Sequence, residues 1–569
     1  MCAQGPNFWF LCFFFFKERS FGMKKDFFAD IVFFNGCVIT VNSQNEITDS
    51  LAVLGKKILF AGPYEQVQDY IGPATRLVDL KGRTLMPGFV EAHSHFTLAS
   101  ILLNGVVIPT DWKEVNSIAL LKDVIREAAS ERKPGAWIVT QGYDQNKLKE
   151  GRHPTIQDLD EAAPNNPVWC VRADLHMGVC NTLALQKAGL SRESLGRFQP
   201  GEIDVDEHGE LTGLLKEEGF GYLNSLVEYE DEELREAFIM GDRLFLSMGI
   251  TSVHDAGSYG AQFIRVLQDA ALSRQIHVRI YEMIYRMLGK YSIRDFVYDH
   301  IKTGLHTNLG NEYFKLGPAK LLLDGSSSGP SSYTKEPYCH DPNLKGIMNW
   351  SQKEIDDFML DAHRAGFQIT AHAIGDQAVE MMIHAIEKAL KTYPVPDCRP
   401  RIEHCAIIND QMLQKIKELH IIPVSNPGLV AFNAKDYNRY YGDRVDRMFA
   451  HKSYLDHQIL FAAGADAPCM DVNPMIGLWG AVMRKDIVNG TLCGPCQRIG
   501  ILDAIRMFTY NGAYASFDED SKGSLEPGKL ADFIVLSEDI LKSDPDHIRD
   551  IQVDQTYLDG ELVFERNNE

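Results

Sequence analysis

The sequence predicts an α/β fold: a (β/α)8 TIM barrel with an inserted subdomain, plus a small β-sandwich domain built from both chain ends. Three observations predict it. Eight apolar runs of strand length alternate with helical stretches through the middle of the chain, as βα units of a parallel sheet do. Both ends are β-rich. A candidate site histidine or aspartate stands at or near the end of four of the eight runs and a fifth contains Lys320, and the carboxyl ends of barrel strands meet at one mouth.

The runs are Leu85–Phe96, Gly249–Ala256, His277–Ile284, Ala319–Leu323, Phe367–Ala373, Arg401–Cys405, Ile421–Ser425 and Ile459–Ala465. Helices such as Lys353–Ala365 and Asp376–Thr392 separate the later ones. The stretch between the first two runs, about 100–245, is too long for one connection and must hold an insertion. The barrel thus occupies residues 85–505. Residues 23–84 and 506–569 supply the composite sandwich. Asn35-Gly36 carries a hairpin signal near the start, and Asp559-Gly560 carries another near the end.

The nine apolar residues Phe8 to Phe16 are too short to span a bilayer in a helix, which takes about 20. No positive residue precedes them and no small-residue cleavage site follows, so a secretory signal fits poorly. Residues 1–22 are expected to lie outside the fold, disordered or untranslated, with Met23 as the start; the rival is a short membrane-associating tail. Net charge is −21, which disfavours nucleic acid and anionic membranes as partners. Eleven irregularly spaced cysteines suggest a reducing, cytoplasmic setting rather than a disulfide framework.

The chemistry lies in His93, His95, Lys320, His372, His404 and Asp466. His93 and His95, two apart on a strand, point to one face. Imidazoles and a carboxylate are ligands for zinc or a similar divalent ion. The bland alternatives are satisfied core histidines and, for Asp466, a helix cap or structural ion pair.

The segment from Leu85 through Pro87-Gly88-Phe89-Val90-Glu91-Ala92-His93-Ser94-His95 resembles the metal signature of the amidohydrolase superfamily. Ala319-Lys320-Leu321-Leu322-Leu323-Asp324-Gly325, Ala371-His372-Ala373-Ile374-Gly375-Asp376, Arg401-Ile402-Glu403-His404 and Gly523 to Asp532 are similar to its YtcJ-like branch, amidohydrolase family 3. Gly142-Tyr143-Asp144 and Asp174-Leu175-His176 echo that branch's insertion. The likeness spans about 29–565 and implies metal ligands on strands one, four, five, six and eight. Two departures stand out. Glu91 replaces a common Asp, and Gly464-Ala465-Asp466-Ala467-Pro468 lacks the Ser and Trp often found there, which alters a pocket wall.

Asp466 is expected to act as both ligand and general base. A divalent metal lowers the pKa of a bound water toward ~7, within reach of a carboxylate base. A lysine of depressed pKa reacts with carbon dioxide to give a carbamate, and the resemblance implies such a bridging ligand at Lys320; the alternative is a lysine that binds substrate or supports the sheet. One ion or two depends on Lys320. His176 is a candidate substrate contact, and His254-Asp255 is expected to support a ligand. Cys493-Gly494-Pro495-Cys496 matches a redox motif but lies in a loop and is read as chance.

The expected reaction is hydrolysis of an amide-like or formamide-like C–N bond in a small molecule. One alternative is deamination of a ring amidine, disfavoured because no Glu follows His372 within Ala373-Ile374-Gly375-Asp376. Another is a non-catalytic scaffold or binding protein. Barrels of this kind often pair, so a homodimer is the oligomer to look for.

Overall fold

The structure is a computed structural model, and it describes residues 28–111, 113–173, 177–286 and 290–567. The Phe-rich run, and with it the expectation for residues 1–22, lies outside them.

Eight parallel strands form the centre: β1 (Phe89–Ser94), β2 (Ile250–Asp255), β3 (Arg279–Ile284), β4 (Phe314–Leu322), β5 (Ile369–Ala373), β6 (Arg401–His404), β7 (Ile422–Ser425) and β8 (Ala462–Ala463). They neighbour one another in sequence order. Irregular backbone brings the last strand to the first: Asp466 N donates to His93 O at 2.8 Å, and His95 N donates to Ala467 O at 2.7 Å. The outer helices show the expected period. In α1 (Gln352–Arg364), Ile355, Phe358, Met359 and Ala362 are buried at helical spacing. Ser351 and Glu354 close its amino end as a capping box. The next helix, α2 (Asp376–Thr392), covers the expected residues.

Three runs differ from their sequence reading, one of them only in length, since β4 begins at Phe314 rather than at Ala319. Leu85–Phe96 is two strands, because Thr84–Pro87 pairs in another sheet and only β1 enters the barrel. Gly88 divides them; a Cβ there would lie 2.3 Å from Thr251 Cγ2. Of Ile459–Ala465, only Ala462 and Ala463 pair as a strand. The chain leaves the pleat at Gly464, where a Cβ would sit 2.5 Å from Glu91 Oε1 and from His93 N and O.

The link between β1 and β2 carries a six-stranded sheet in the order Ile203–Val205, Leu211–Lys216, Met177–Cys180, Val168–Arg172, Ile138–Tyr143, Val107–Pro109. The helix Ile118–Glu131 covers it, burying Ile118, Leu121 and Ile125 against Ile138 and Val168.

The chain ends form two further sheets. One has the order Lys57–Gly62, Ser50–Leu54, Ile31–Phe34, Arg76–Asp79. The other joins both ends: Glu561–Glu565, Val553–Leu558, Phe533–Leu536, Thr84–Pro87, Cys37–Ile39, Ile47–Thr48. Phe33 of the first sheet meets Phe533 and Tyr557 of the second edge-on, at 5.1 and 5.3 Å between ring centres, which makes a sandwich. The hairpin at Asp559-Gly560 forms, with both residues at positive φ. The one at Asn35-Gly36 does not: the strands on either side belong to different sheets. Gly36 is needed there because a Cβ would meet Leu80 Cδ1 at 2.4 Å as the chain turns the corner.

An ionic cluster at the amino-terminal end of the barrel ties it to this sandwich. The buried Arg279 guanidinium donates to Asp532 at 2.7 and 3.0 Å and to Asp559 at 2.6 Å. Lys315 pairs with Asp518 at 2.7 Å, and Lys522 donates to Ser252 Oγ at 2.9 Å.

Candidate metal centre

The opposite end gathers the candidate residues. His93 lies near the end of β1, with His95 immediately after it. Lys320 is on β4, His372 on β5 and His404 ends β6, while Asp466 follows β8. Asp466 Oδ1 is 3.5 Å from His93 Nε2 and 3.6 Å from His95 Nε2. Single ligand atoms of these three residues all fall within 4.8 Å of one another. The His404 ring centre is 4.7 Å from that of His93 and 4.5 Å from that of His372. Backbone strain accompanies the cluster: φ is +67° at His404, +43° at Cys405 and +63° at Asp466, a region such residues seldom occupy.

Each imidazole has one nitrogen tied to an acceptor. His93 Nδ1 donates to Glu403 Oε2 at 2.5 Å, and His95 Nδ1 donates to Gly257 O at 3.1 Å. His404 Nδ1 donates to Asn426 Oδ1 at 2.7 Å, and Asn426 Nδ2 donates to Gly464 O at 2.9 Å, which orients the amide. His372 reaches Gly325 O through Nε2, at 3.2 Å. An acceptor on one nitrogen places the proton there and leaves a lone pair on the other. Nε2 of His93, His95 and His404 and Nδ1 of His372 are therefore free to ligate.

Electrostatics keeps these rings neutral. Burial, reinforced by Lys320, pushes His95 down to about 3 and His372 down to about 4. It holds His93 well below the ordinary value in the same way, and His404 too, with His372 and His93 adding to the effect. Burial also pushes Lys320 down to about 8, against the pull of Glu403 and Asp466. The Lys320 ammonium donates to Ala256 O at 2.9 Å and lies over the Tyr285 ring. Neutral imidazoles with oriented lone pairs, beside a carboxylate, are the donor set a divalent metal requires. The residues present fit such an ion.

His176 lies outside the described residues. His254 and Asp255 reach the cluster through intermediaries: His254 Nδ1 accepts from Arg401 Nη1 at 3.0 Å, and Asp255 Oδ1 accepts from the N–H of Gly257, whose carbonyl accepts from His95. The Cys493/Cys496 pair lacks the features of a redox site. Cys493 is buried, with its thiol pushed up to about 11, and only a short 3-10 turn, Pro495–Gln497, follows Gly494.

Sequence reasoning passed over Glu403, Arg401, Asn426 and Asp324. Glu403 and Arg401 are two apart on β6 and both are fully buried, so strand alternation alone could have put them together on the inner face. Asp324 accepts from the backbone N–H groups of Tyr333, Ile374 and Gly375, fixing the turns that follow β4 and β5. The sequence signal for Asp324 is its place in the family-like segment Ala319 to Gly325, which does not reveal that role.

A family model described as amidohydrolase family matches residues 76–564. The chain belongs to the amidohydrolase family. It is similar to Protein LONG AFTER FAR-RED 3 of Arabidopsis thaliana, at 30% identity over 90% of this chain and 87% of that one. It is also similar to N-substituted formamide deformylase of Arthrobacter pascens, at 27% identity over 94% and 98% of the two chains. A third relative is YtcJ of Bacillus subtilis (strain 168), assigned as an amidohydrolase, at 28% identity over 94% and 99%. Membership makes the chain a hydrolase of carbon–nitrogen bonds, in a family that is generally metal-dependent. Among the described residues no helix is long and apolar enough to cross a membrane.

Proposed function

We propose that this enzyme hydrolyses an amide-like or formamide-like C–N bond, other than a peptide bond, in a small molecule, with Asp466 as general base. The observation that carries the reading is the set of four imidazoles, each with one nitrogen anchored and one lone pair free, around the Asp466 carboxylate. His93, His95, His372, His404 and Asp466 would hold the metal, which we take to be zinc. Lys320, as a carbamate, would add a ligand for a second ion. When bound, the metal polarises the scissile carbonyl and makes a water acidic enough to attack near neutral pH.

This chain's residues do the rest. Asp466 takes the proton of the attacking water as its oxygen bonds to the carbonyl carbon. It then delivers that proton to the nitrogen as the C–N bond breaks, so that an amine and a carboxylic acid leave. The link from Asp466 N to His93 O holds the base in place during both transfers. His176 is proposed as a substrate contact. The nine described cysteines are all free, and on that composition we place the enzyme in the cytoplasm.

Metal analysis of purified protein, combined with a screen of N-formyl, N-acyl and cyclic amides, tests the reading. Near-stoichiometric metal and release of an organic amine are expected. Release of ammonia from ring amidines alone would replace it with deamination. Protein that binds no metal would leave only a scaffold role.

A further inference from the structure

Behind His93 lies a buried polar assembly that makes no contact with the proposed reacting atoms. Glu403 accepts at both oxygens. Oε2 takes His93 Nδ1–H at 2.5 Å and Arg401 Nη2 at 3.0 Å; Oε1 takes Arg401 Nε at 2.9 Å and Thr370 Oγ1 at 2.7 Å. Arg401 is held in turn, with Nη2 donating to Ala92 O at 2.8 Å and Nη1 donating to His254 Nδ1 at 3.0 Å. Arg401, Glu403 and Thr370 are fully buried, and His254 and His93 are 1% exposed. The group spans β1, β2, β5 and β6.

We propose that Glu403 is a positioning residue for metal binding: clamped by the two-point fork of Arg401, with Thr370 only filling a remaining lone pair of Oε1, it fixes the proton of His93 on Nδ1 and so keeps the Nε2 lone pair toward Asp466. This rests on the proposed metal-dependent reading. The argument is one of donor counting. Four donors converge on the two Glu403 oxygens and only a carboxylate can accept them all. Two of the four come from a guanidinium, whose planar fork fits a carboxylate and prevents it from rotating. Glutamine is nearly isosteric but brings an NH2. Placed at Oε2, that NH2 makes His93 Nδ1 the acceptor and moves the ring proton to Nε2, where it blocks ligation. Placed at Oε1, it confronts Arg401 Nε–H. The first orientation removes the pre-set lone pair, and the second leaves the His93 proton in place but breaks the Arg401 fork that holds the acceptor in line. Ligand-orienting groups of this type typically change metal affinity 10–100-fold.

The test is chelator competition on the full-length protein with zinc alone, alongside cobalt-substituted absorption spectra, for wild type, Glu403→Gln and Thr370→Val. Expected are zinc binding weakened by about 10–100-fold and altered cobalt bands in Glu403→Gln. Thr370→Val, which keeps both Arg401 contacts and the His93 contact, should change affinity less than threefold. Thermal unfolding run in parallel identifies a purely structural effect, which would lower the melting temperature and leave the zinc affinity of the folded protein alone. Wild-type affinity and spectra in folded Glu403→Gln would overturn the inference. Wild type that binds no zinc would instead overturn the metal-dependent reading itself. If Glu403→Gln fails to fold, Arg401→Lys decides: it keeps the charge, loses the fork, and should weaken zinc binding in the same direction, whereas unchanged affinity refutes the clamp.

Discussion

The two ends of the barrel are both crowded with ionisable side chains and treat them in opposite ways. At the amino-terminal end, Arg279 faces Asp532 and Asp559, and Lys315 faces Asp518, so each cation finds an anion. At the carboxyl end, three buried imidazoles and the partly exposed His372 are held neutral, each with one nitrogen anchored and one left over. The first arrangement balances the expense of burying charge and links the barrel to the sandwich. The second leaves donor capacity unused inside the protein, together with strained backbone at His404 and Asp466. Such features persist where the surroundings over-determine them, as at functional sites. One end is built for cohesion and the other for an ion and its chemistry.

This contrast can be broken by experiment. The largest effect is expected from Asp466→Asn, which should lower turnover of an N-formyl amide by about 10²–10⁴-fold, the usual share of a general base. Its thermal stability should be unchanged or higher, since Asn tolerates positive φ; full activity would remove Asp466 from the mechanism. Next is Arg279→Met, which strands two buried carboxylates and should cost about 3–5 kcal/mol in urea unfolding. Turnover per folded molecule should match wild type, and a matching loss of turnover would show that the two ends are not separable. Chelation should come third. Metal present at a hundred times its Kd stabilises the folded state by about 2.7 kcal/mol. Its removal should lower the melting temperature equally in wild type and Arg279→Met if the ends are energetically independent.

The smallest effect is with acid. Burial favours the protonated Asp559 carboxyl, but the adjacent Arg279 charge prevails and holds it below its ordinary value. A depressed carboxylate contributes fully above the unfolded value of about 3.9, and the contribution is lost as pH falls through the folded value. Unfolding free energy should therefore drop more steeply below about pH 4 in wild type than in Arg279→Met. Parallel acid slopes would mean that Asp559 gains nothing from its partner.

Legibility in the sequence followed the same divide between repeated pattern and single geometry. All eight barrel strands could be read, because strands buried on both faces must be apolar and the helices between them keep a 3.6-residue period. The paired histidines could be read because strand alternation puts His93 and its second neighbour together. Glu403 was missed for the complementary reason: next to a histidine in sequence, it looked like part of a motif rather than the inner-face partner of Arg401. The shrinking of the last strand to Ala462–Ala463 depends on how closely Gly464 approaches Glu91 and His93, a contact between residues far apart in the chain. Asn35-Gly36 misled because a turn-prone pair serves a hairpin and a sheet-to-sheet corner equally well.

The division at Gly88 also bears on the order of assembly during synthesis. Thr84–Pro87 has Cys37–Ile39 on one side but needs Phe533–Leu536 on the other, and β1 with His93 begins just beyond Gly88. A chain emerging from the ribosome thus carries the strand just before its first ligand strand with one edge unfilled until Phe533–Leu536 is made. Domains generally fold as units and expose apolar surface while incomplete. Loss of the last strands should therefore be felt first at the mouth of the barrel, far along the chain from the cut.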